Sequence, residues 1–455
     1  MKAIEDYVRT LGLDAYVVGG AVRDELLGRD SKDADFLVPG VDAAALRAAL
    51  KPFGKVEELV VAGNPVGMRL YPRDRAARTI APAGVEFAPP RIERSTGPGR
   101  HDFEIVVDPG ATVEDDLGRR DFTINAMARH LAGGELVDPF GGAADLEAGV
   151  LRTVRPNSFA EDPLRIVRGL RFVSQLGLDP DERTVAEMRE HAARIAVVSG
   201  ERIGGGLSAD GMGELSKLLL GPEPLKALRI MRDTGVLVSV LPEFGPAVGF
   251  DSHSGDHGMT VEEHTFAVVQ AAADAGTALR VRLATLFHDL GKPQPVEGED
   301  HAETGARLTS AAMLRLRYPT ELRRRVVRIV RFHPFLLGDG DALEARRLLA
   351  SHGEGVTFDL IDHWNADLRG RDQSPRVLAK LDRVALFRGV VEAELGSPHR
   401  LADLAVDGAD LIELGYEQGP MLGRTLDTLL DEVIDSPALN RRETLLARAE
   451  ELLHA

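Results

Sequence analysis

The stretch Gly19-Gly20-Ala21-Val22-Arg23-Asp24, followed by Asp33-Ala34-Asp35, constrains this chain more than any other. Tyr16, Val17 and Val18 run into a glycine pair, Ala21 to Leu27 has a helical pattern, and the two aspartates lead into Phe36-Leu37-Val38. The order reads as strand, phosphate-holding turn, helix and second strand. Side chains two apart on a strand share one face, so both carboxylates point the same way. Held that closely, they repel each other unless a cation sits between them. Hard oxygen donors suit Mg²⁺ that also touches phosphates. The stretch therefore points to metal-assisted phosphoryl or nucleotidyl transfer.

A chain of 455 residues exceeds one ordinary core, and two to four domains are expected. With 44% hydrophobic and 28% charged residues it fits a soluble globular protein. The absence of cysteine excludes disulfides, zinc-thiolate sites and thiol nucleophiles, and fits a reducing compartment such as the cytoplasm. The start, Met1 to Asp6, carries no apolar signal core, and no apolar run is long enough to span a bilayer, so no membrane partner is expected. A formal net charge of −17 argues against a generic polyanion binder but leaves room for a local positive groove. Basic candidates are Arg91 to Arg100, Arg119-Arg120, Arg165 to Arg171, and Arg323-Arg324-Arg325 with Arg328 and Arg331; the last reads as a solvated helix face.

Along the chain, strand-like segments (16–18, 35–38, 85–88, 103–107, 135–137) alternate with helix-like ones (21–27, 43–50, 124–129) up to about residue 150. The Pro, Gly and Arg-rich piece 89–100 reads as a mobile loop that closes on substrate. From Glu161 onward helices dominate, over 161–176, 181–194, 214–220 and 223–236, with no strong strand signal. Gly204 to Gly213 reads as a flexible loop, and a boundary falls near Leu241-Pro242-Glu243.

Two further stretches narrow the chemistry. In Asp115-Asp116-Leu117-Gly118-Arg119-Arg120-Asp121-Phe122-Thr123-Ile124-Asn125-Ala126, a basic pair meets an aspartate at an expected helix start. Arg120 can take a phosphate bidentately and Asp121 can accept from a ribose hydroxyl; the bland alternative is an N-capping Asp121 with a solvated arginine pair. In Glu161-Asp162-Pro163-Leu164-Arg165, Asp162 can cap a helix on which Arg165, Arg168 and Arg171 form one stripe opposite Ile166, Val167, Leu170 and Val173. A surface stripe is the bland alternative. Asp162 and Arg165 also offer acceptor and donor groups to the edge of a base. Backbone amides near Gly20 and the side chain of Arg23 could reach the triphosphate.

Most histidines lie between residues 259 and 395. His288-Asp289 closes the apolar run Leu283 to Phe287, with His264 on a preceding helix and His301, His333 and Asp367 on later ones. Imidazoles and carboxylates converging from several helices make a divalent-metal site. Burial of an adjacent His-Asp pair is costly unless a metal or partner satisfies it. His253 and His257 read as surface residues of a glycine-rich loop.

The segments Gly-Gly-Ala-Val-Arg-Asp with Asp33-Ala34-Asp35, Arg-Arg-Asp-Phe-Thr-Ile-Asn-Ala and Glu-Asp-Pro-Leu-Arg resemble the class II tRNA nucleotidyltransferases, the CCA-adding enzymes that share their head with bacterial poly(A) polymerases. The histidine block resembles the HD phosphohydrolase superfamily, which some bacterial CCA-adding enzymes carry fused behind the head. The resemblance implies an α+β protein: a polymerase-beta-like nucleotidyltransferase head (1–150) with a mixed, five-stranded sheet, then an all-α neck that binds nucleotide and RNA (151–240), an HD body (241–395) and a helical tail (396–455). It implies that Asp33 and Asp35 bind catalytic Mg²⁺. Gly20, Arg23, Arg120, Arg168 and Arg171 would hold the nucleotide phosphates and shape the pocket, Asp121 would sense the ribose, and Asp162 and Arg165 would read CTP or ATP. The HD motif residues would be His264, His288, Asp289 and Asp367, with His301 and His333 as further members, around a divalent transition metal (Ni, Mn, Co or Fe). The implied activity is addition of CCA to the tRNA 3′ end, with a second phosphohydrolase or 2′,3′-cyclic phosphodiesterase activity. CC-adding, A-adding or poly(A) synthesis, or an HD enzyme using the head as a tRNA-binding module, are the alternatives. The chain departs from the pattern where the glycine-rich loop separates Glu201-Arg202-Ile203 from Glu214-Leu215-Ser216-Lys217-Leu218-Leu219.

Overall fold

A computed structural model of the chain describes residues 2–30, 35–61, 64–95, 103–106, 110–206, 212–251, 258–334 and 337–454. Asp33, most of the glycine-rich loop after Gly206, and both His253 and His257 lie outside the described residues. The chain divides into two units, Met1–Gly245 and Pro246–Ala455.

The first unit is built on a mixed sheet. In chain order its strands are β1 (Tyr16–Val18), β2 (Asp35–Leu37), β3 (Gly54–Val61), β4 (Asn64–Pro72) and β5 (Val85–Ala88); a separate hairpin is β6 (Ile92–Ser95) and β7 (Phe103–Val106); and β8 (Ala128–His130) and β9 (Leu136–Val137) complete the main sheet. The main sheet has seven strands in the order β3-β4-β5-β2-β1-β8-β9. Only β2 and β5 run parallel; the other pairs are antiparallel. Alternation assigns the two faces. Val17, Phe36, Phe87 and Met68 join the larger core, while Val18, Leu37 and Ala128 pack under Val113 and Leu117. Asp35 is in register with Val18 and Glu86, two residues before Leu37, and so belongs to the second face.

The sheet has seven strands rather than the five expected. The β3–β4 hairpin went unread because β3 is an edge strand: none of residues 54–60 is buried, so its charges mask any alternation. The expected helix over 124–129 is a short 3₁₀ turn, Thr123–Asn125, followed by β8. Residues 122–128 are all buried, which removes the periodicity that separates helix from strand. The expected loop over 89–100 contains β6, paired with β7.

Beyond residue 150 helices dominate, apart from two-residue strands at Val150–Leu151 and Asp179–Pro180 that pair in parallel. Asp162 breaks the expected 161–176 helix into Ser158–Glu161 and Leu164–Leu176, and accepts a hydrogen bond from Leu164 N at 3.1 Å. Gly169 lets the latter helix sit on the Phe122 ring, which an added Cβ would meet at 2.7 Å. In the departure from the family pattern, Gly213 N and Ser216 Oγ both donate to Gly204 O at 2.9 Å. The two ends of the loop are thus joined, and the Glu214–Leu219 helix starts beside the Glu201–Gly205 turn.

The second unit is helical. Val261–Asp274, Leu279–Phe287, His301–Arg315, Thr320–Arg331 and Glu354–Arg369 surround the histidines. Arg325 of the expected solvated face instead donates to buried Asp359 at 2.6 Å. The last helices close a separate cluster around Val406, Leu411, Tyr416, Leu429 and Val433.

Candidate active site and metal centre

In the first unit, one polar cavity of about 410 Å³ is lined by Gly20, Arg23, Asp35, Arg119, Arg120, Asp121, Asn125, Asp162, Arg165, Arg168, Arg171 and Phe172. Every residue expected at the nucleotide site is here except Asp33, which is not described. Asp35 also borders a second cavity of about 390 Å³, between Phe36, Val66, Arg69, Glu86, Arg91 and Arg119.

Local structure explains the convergence. Gly19 sits at φ +72, a conformation that favours glycine, and its missing Cβ leaves room for the Arg120 guanidinium. Arg119 and Arg120 are held from below by Asp116, which is fully buried. Burial opposes the charge on Asp116, but the two guanidiniums hold its carboxyl below its ordinary value. Asp121 caps no α-helix. It accepts from Phe122 N and Asn125 Nδ2, and its Oδ2 lies 2.8 Å from Arg168 Nη2. Burial works against its charge, and Arg168 with Asn125 keeps its pKa low. The arginine stripe of the Leu164–Leu176 helix faces this cavity with each member beside an anion: Arg165 by Glu161 at 3.0 Å, Arg168 by Asp121, and Arg171 by Glu214 at 2.8 Å.

Several partners escaped the sequence reading. Arg202, forty residues on, donates to Asp162 Oδ2 at 3.0 Å. Arg23 donates to Asn125 Oδ1 at 2.7 Å. The Phe172 ring lies under both Arg23 and Arg171, at 5.1 and 4.3 Å. Glu86 stands beside Asp35 across the parallel β2–β5 pair and is ion-paired with Arg69. Asp116, three and four residues before Arg119 and Arg120, did leave a local signal.

In the second unit, two groups could each hold a metal ion: His264, His288 and Asp367, and Asp289, His301 and His333, with the ligand atoms of each group within 4.8 Å of one another. All six expected residues are therefore brought together. His264 Nε2 lies 2.9 Å from Asp367 Oδ1, and His288 Nε2 lies 3.2 Å from Asp289 Oδ2. Asp289 Oδ1 turns the other way, 3.7 Å from His333 Nε2. Nδ1 of His288 is bonded to Thr285 O at 2.8 Å, and Nδ1 of His333 to Val330 O at 2.7 Å. A carbonyl accepts only, so Nδ1 carries a proton in both rings and Nε2 is the nitrogen turned toward the other ligand atoms. His288 Nε2 faces Asp289 Oδ2 and, at 3.7 Å, Asp367 Oδ1; burial opposes its charge, but these carboxylates raise its pKa above the ordinary value. The donor set fits a divalent transition metal.

The electrostatics agree. Burial disfavours the charge of Asp289, but His288, Lys292 and His333 hold its pKa well below the carboxylate range. Burial also opposes the charge of Asp367, which His264, Arg371 and His288 keep ionised. Burial and the neighbouring His288 push His333 down to about 4, and burial lowers His301, so both are neutral imidazoles near pH 7. Lys292 lies 2.7 Å from Asp289 Oδ2, the oxygen that also faces His288, and Arg371 lies 2.6 Å from Asp367 Oδ2, the oxygen not paired with His264. Neither they nor His363, buried beside His288, featured in the sequence reading.

Comparison with known proteins places this geometry. Residues 15–152 match the "Poly A polymerase head domain", 177–247 the "Probable RNA and SrmB- binding site of polymerase A", and 261–384 the HD domain. The chain is 36% identical over 330 residues to the multifunctional CCA protein of Nitrosococcus oceani, spanning 70% of this chain and 74% of that one. The chain belongs to the multifunctional CCA protein family. To the family member of Neisseria gonorrhoeae it is 40% identical over 286 residues, 62% of each chain. The alignment thus spans less than two thirds of that relative's length. Among solved structures, this CCA-family chain shares the fold of the Bacillus stearothermophilus CCA-adding enzyme in complex with CTP, with a TM-score of 0.69 and 24% identity over 99% of this chain and 96% of that one. No helix among the described residues is long and apolar enough to cross a membrane.

Proposed function

We propose that this chain adds CCA to the 3′ end of tRNA from CTP and ATP, releasing pyrophosphate. The observation that carries the reading is the cavity in which Asp35 faces Arg23, Arg120, Arg168 and Arg171, with Asp162 and Arg165 on its wall. The names of the family relatives support it. In this reading the terminal 3′-hydroxyl attacks the α-phosphate in line; the new O–P bond forms as the bond to pyrophosphate breaks. The arginines hold the phosphates, Asp121 accepts from the ribose, and Asp162 with Arg165 reads the base. Asp33 and Asp35 would hold Mg²⁺, since paired carboxylates supply the hard oxygens it requires. When bound, Mg²⁺ neutralises phosphoryl charge and makes the attacking hydroxyl more acidic.

In the same reading, residues 1–150 are the catalytic head, 151–240 the nucleotide- and RNA-binding neck, 241–395 the HD domain and 396–455 a helical tail, all working in the cytoplasm. The HD centre, with Ni, Mn, Co or Fe, removes phosphate from RNA ends, including 2′,3′-cyclic phosphates. The two groups of metal-ligating side chains support this second activity.

The test is incubation with tRNA lacking its terminal nucleotides, with CTP alone, ATP alone and both. Stepwise products ending in CCA are expected. Stopping at CC, adding only A, or long A tracts would identify a narrower member of the family, and no extension at all would overturn the reading.

A further inference from the structure

His363 is a buried histidine that no motif explains. It lies on the Glu354–Arg369 helix one turn before Asp367, so the two side chains share a face. It is 0% exposed, and neither Nδ1 nor Nε2 has a hydrogen-bond partner. Its ring centroid is 5.3 Å from that of His288 and 5.6 Å from that of His333. Its neighbours differ from it. His288 and His333 each commit Nδ1 to a backbone carbonyl, and His264 commits Nε2 to Asp367. His363 also falls outside both metal-ligating groups.

A polar side chain buried with no protein partner calls for one from outside the chain. An imidazole can donate from one nitrogen and accept at the other. On the phosphohydrolase reading of this centre, on which the inference rests, the guest is a phosphoryl group, and its oxygens need donors. Lys292 and Arg371 are already ion-paired with Asp289 and Asp367. His363 has no such engagement.

We propose that His363 donates a hydrogen bond to a phosphoryl oxygen of the anion bound at the HD centre. It is a binding residue; no bond to it forms or breaks, and the ions are held by the two groups of ligands already described.

The full chain is loaded with Mn²⁺, and inorganic phosphate is titrated by calorimetry, with metal content measured in parallel. The component of phosphate binding abolished by His288→Ala belongs to this centre. In His363→Leu that component weakens by about tenfold or more, while the metal content is unchanged, and His363→Gln, which restores an N–H, stays within about threefold of the native chain. If the Leu variant fails to fold, His363→Met carries the same decision. Native phosphate affinity in the apolar variant overturns the proposal, as does loss of metal from a folded one, which would make His363 a metal ligand. If the native chain hydrolyses no 2′,3′-cyclic phosphate yet His363 dependence holds, the phosphohydrolase reading fails and this inference stands. Hydrolysis without His363 dependence of phosphate binding gives the reverse.

Discussion

The two sites solve opposite electrostatic problems. The cavity in the first unit is wide and lined by guanidiniums that stand beside carboxylates: Arg120 by Asp116, Arg165 by Glu161, Arg168 by Asp121 and Arg171 by Glu214. Internal anions keep the positive charges apart and oriented while they wait for a larger anion. The centre in the second unit is buried, and burial lowers the pKa of His301 and His333 so that their nitrogen lone pairs remain free. In the proposed function, one site takes a polyanionic substrate and the other small cations. The difference teaches that the first depends on pairs that can rearrange, and the second on ligand atoms held in place.

The sharpest way to break the comparison is at Asp35, the carboxylate proposed to hold Mg²⁺ in the first unit. Asp35→Ala should lower nucleotide incorporation by about 10³-fold or more, because several kcal/mol of transition-state stabilisation are lost at about 1.4 kcal/mol per factor of ten. Gel shift should find tRNA binding nearly native, and cyclic-phosphate hydrolysis should be untouched. Loss of both activities would show that the two sites are not separable.

The converse variant, His288→Ala, should empty the HD centre. Hydrolysis should fall by more than about 100-fold, beyond what removal of an outer partner does to a metal site. A chelator selective for transition metals should reproduce the effect in the native chain in the presence of Mg²⁺. CTP and ATP incorporation should stay near native, and elemental analysis checks that metal has gone.

Asp116 probes the scaffold beneath the arginines. Asp116→Asn should destabilise the protein by about 2 kcal/mol at pH 7, the range for a buried hydrogen bond to a charged group. The folded pKa of Asp116 lies below its ordinary value of 3.8, so its contribution is fully present above that value. It is lost as pH falls through the folded pKa. Denaturant titrations should therefore show the gap between variant and native chain closing below about pH 4. A gap that persists there would mean that shape, not charge, holds Arg119 and Arg120.

The smallest expected effect sharpens selectivity. Arg202→Ala frees Asp162 from its 3.0 Å tether and should change the ratio of kcat/KM for CTP and ATP by about tenfold, the lower part of the range for a misplaced base-edge contact. Arg202→Lys should restore part of it. Equal losses for both nucleotides would assign Arg202 to support of the neck instead.

The sequence by itself determined the pieces whose physics is local. The glycine pair before a helix, the arginine stripe opposite an apolar one, and His-Asp at the end of an apolar run are short-range patterns. They sufficed to single out Asp35, Arg120, Asp121, Asp162, Arg165 and the His288-Asp289 pair; the resemblance to the HD superfamily supplied the set with His264, His301, His333 and Asp367, and the structure gathers these residues into two sites. Asp33 lies outside the described residues, so its half of the carboxylate pair rests on sequence alone. Only the tertiary structure decided what depends on distant parts of the chain. The edge hairpin β3–β4 carries no clean alternation, and β8 looks like a helix until its pairing with β1 is known. Arg202 reaches Asp162 across forty residues, and His363 becomes a candidate binding residue only because other helices bury it without a partner. Periodicity reports the face a side chain takes on its own element; which group it meets there is set by packing between elements, and no single segment contains that information.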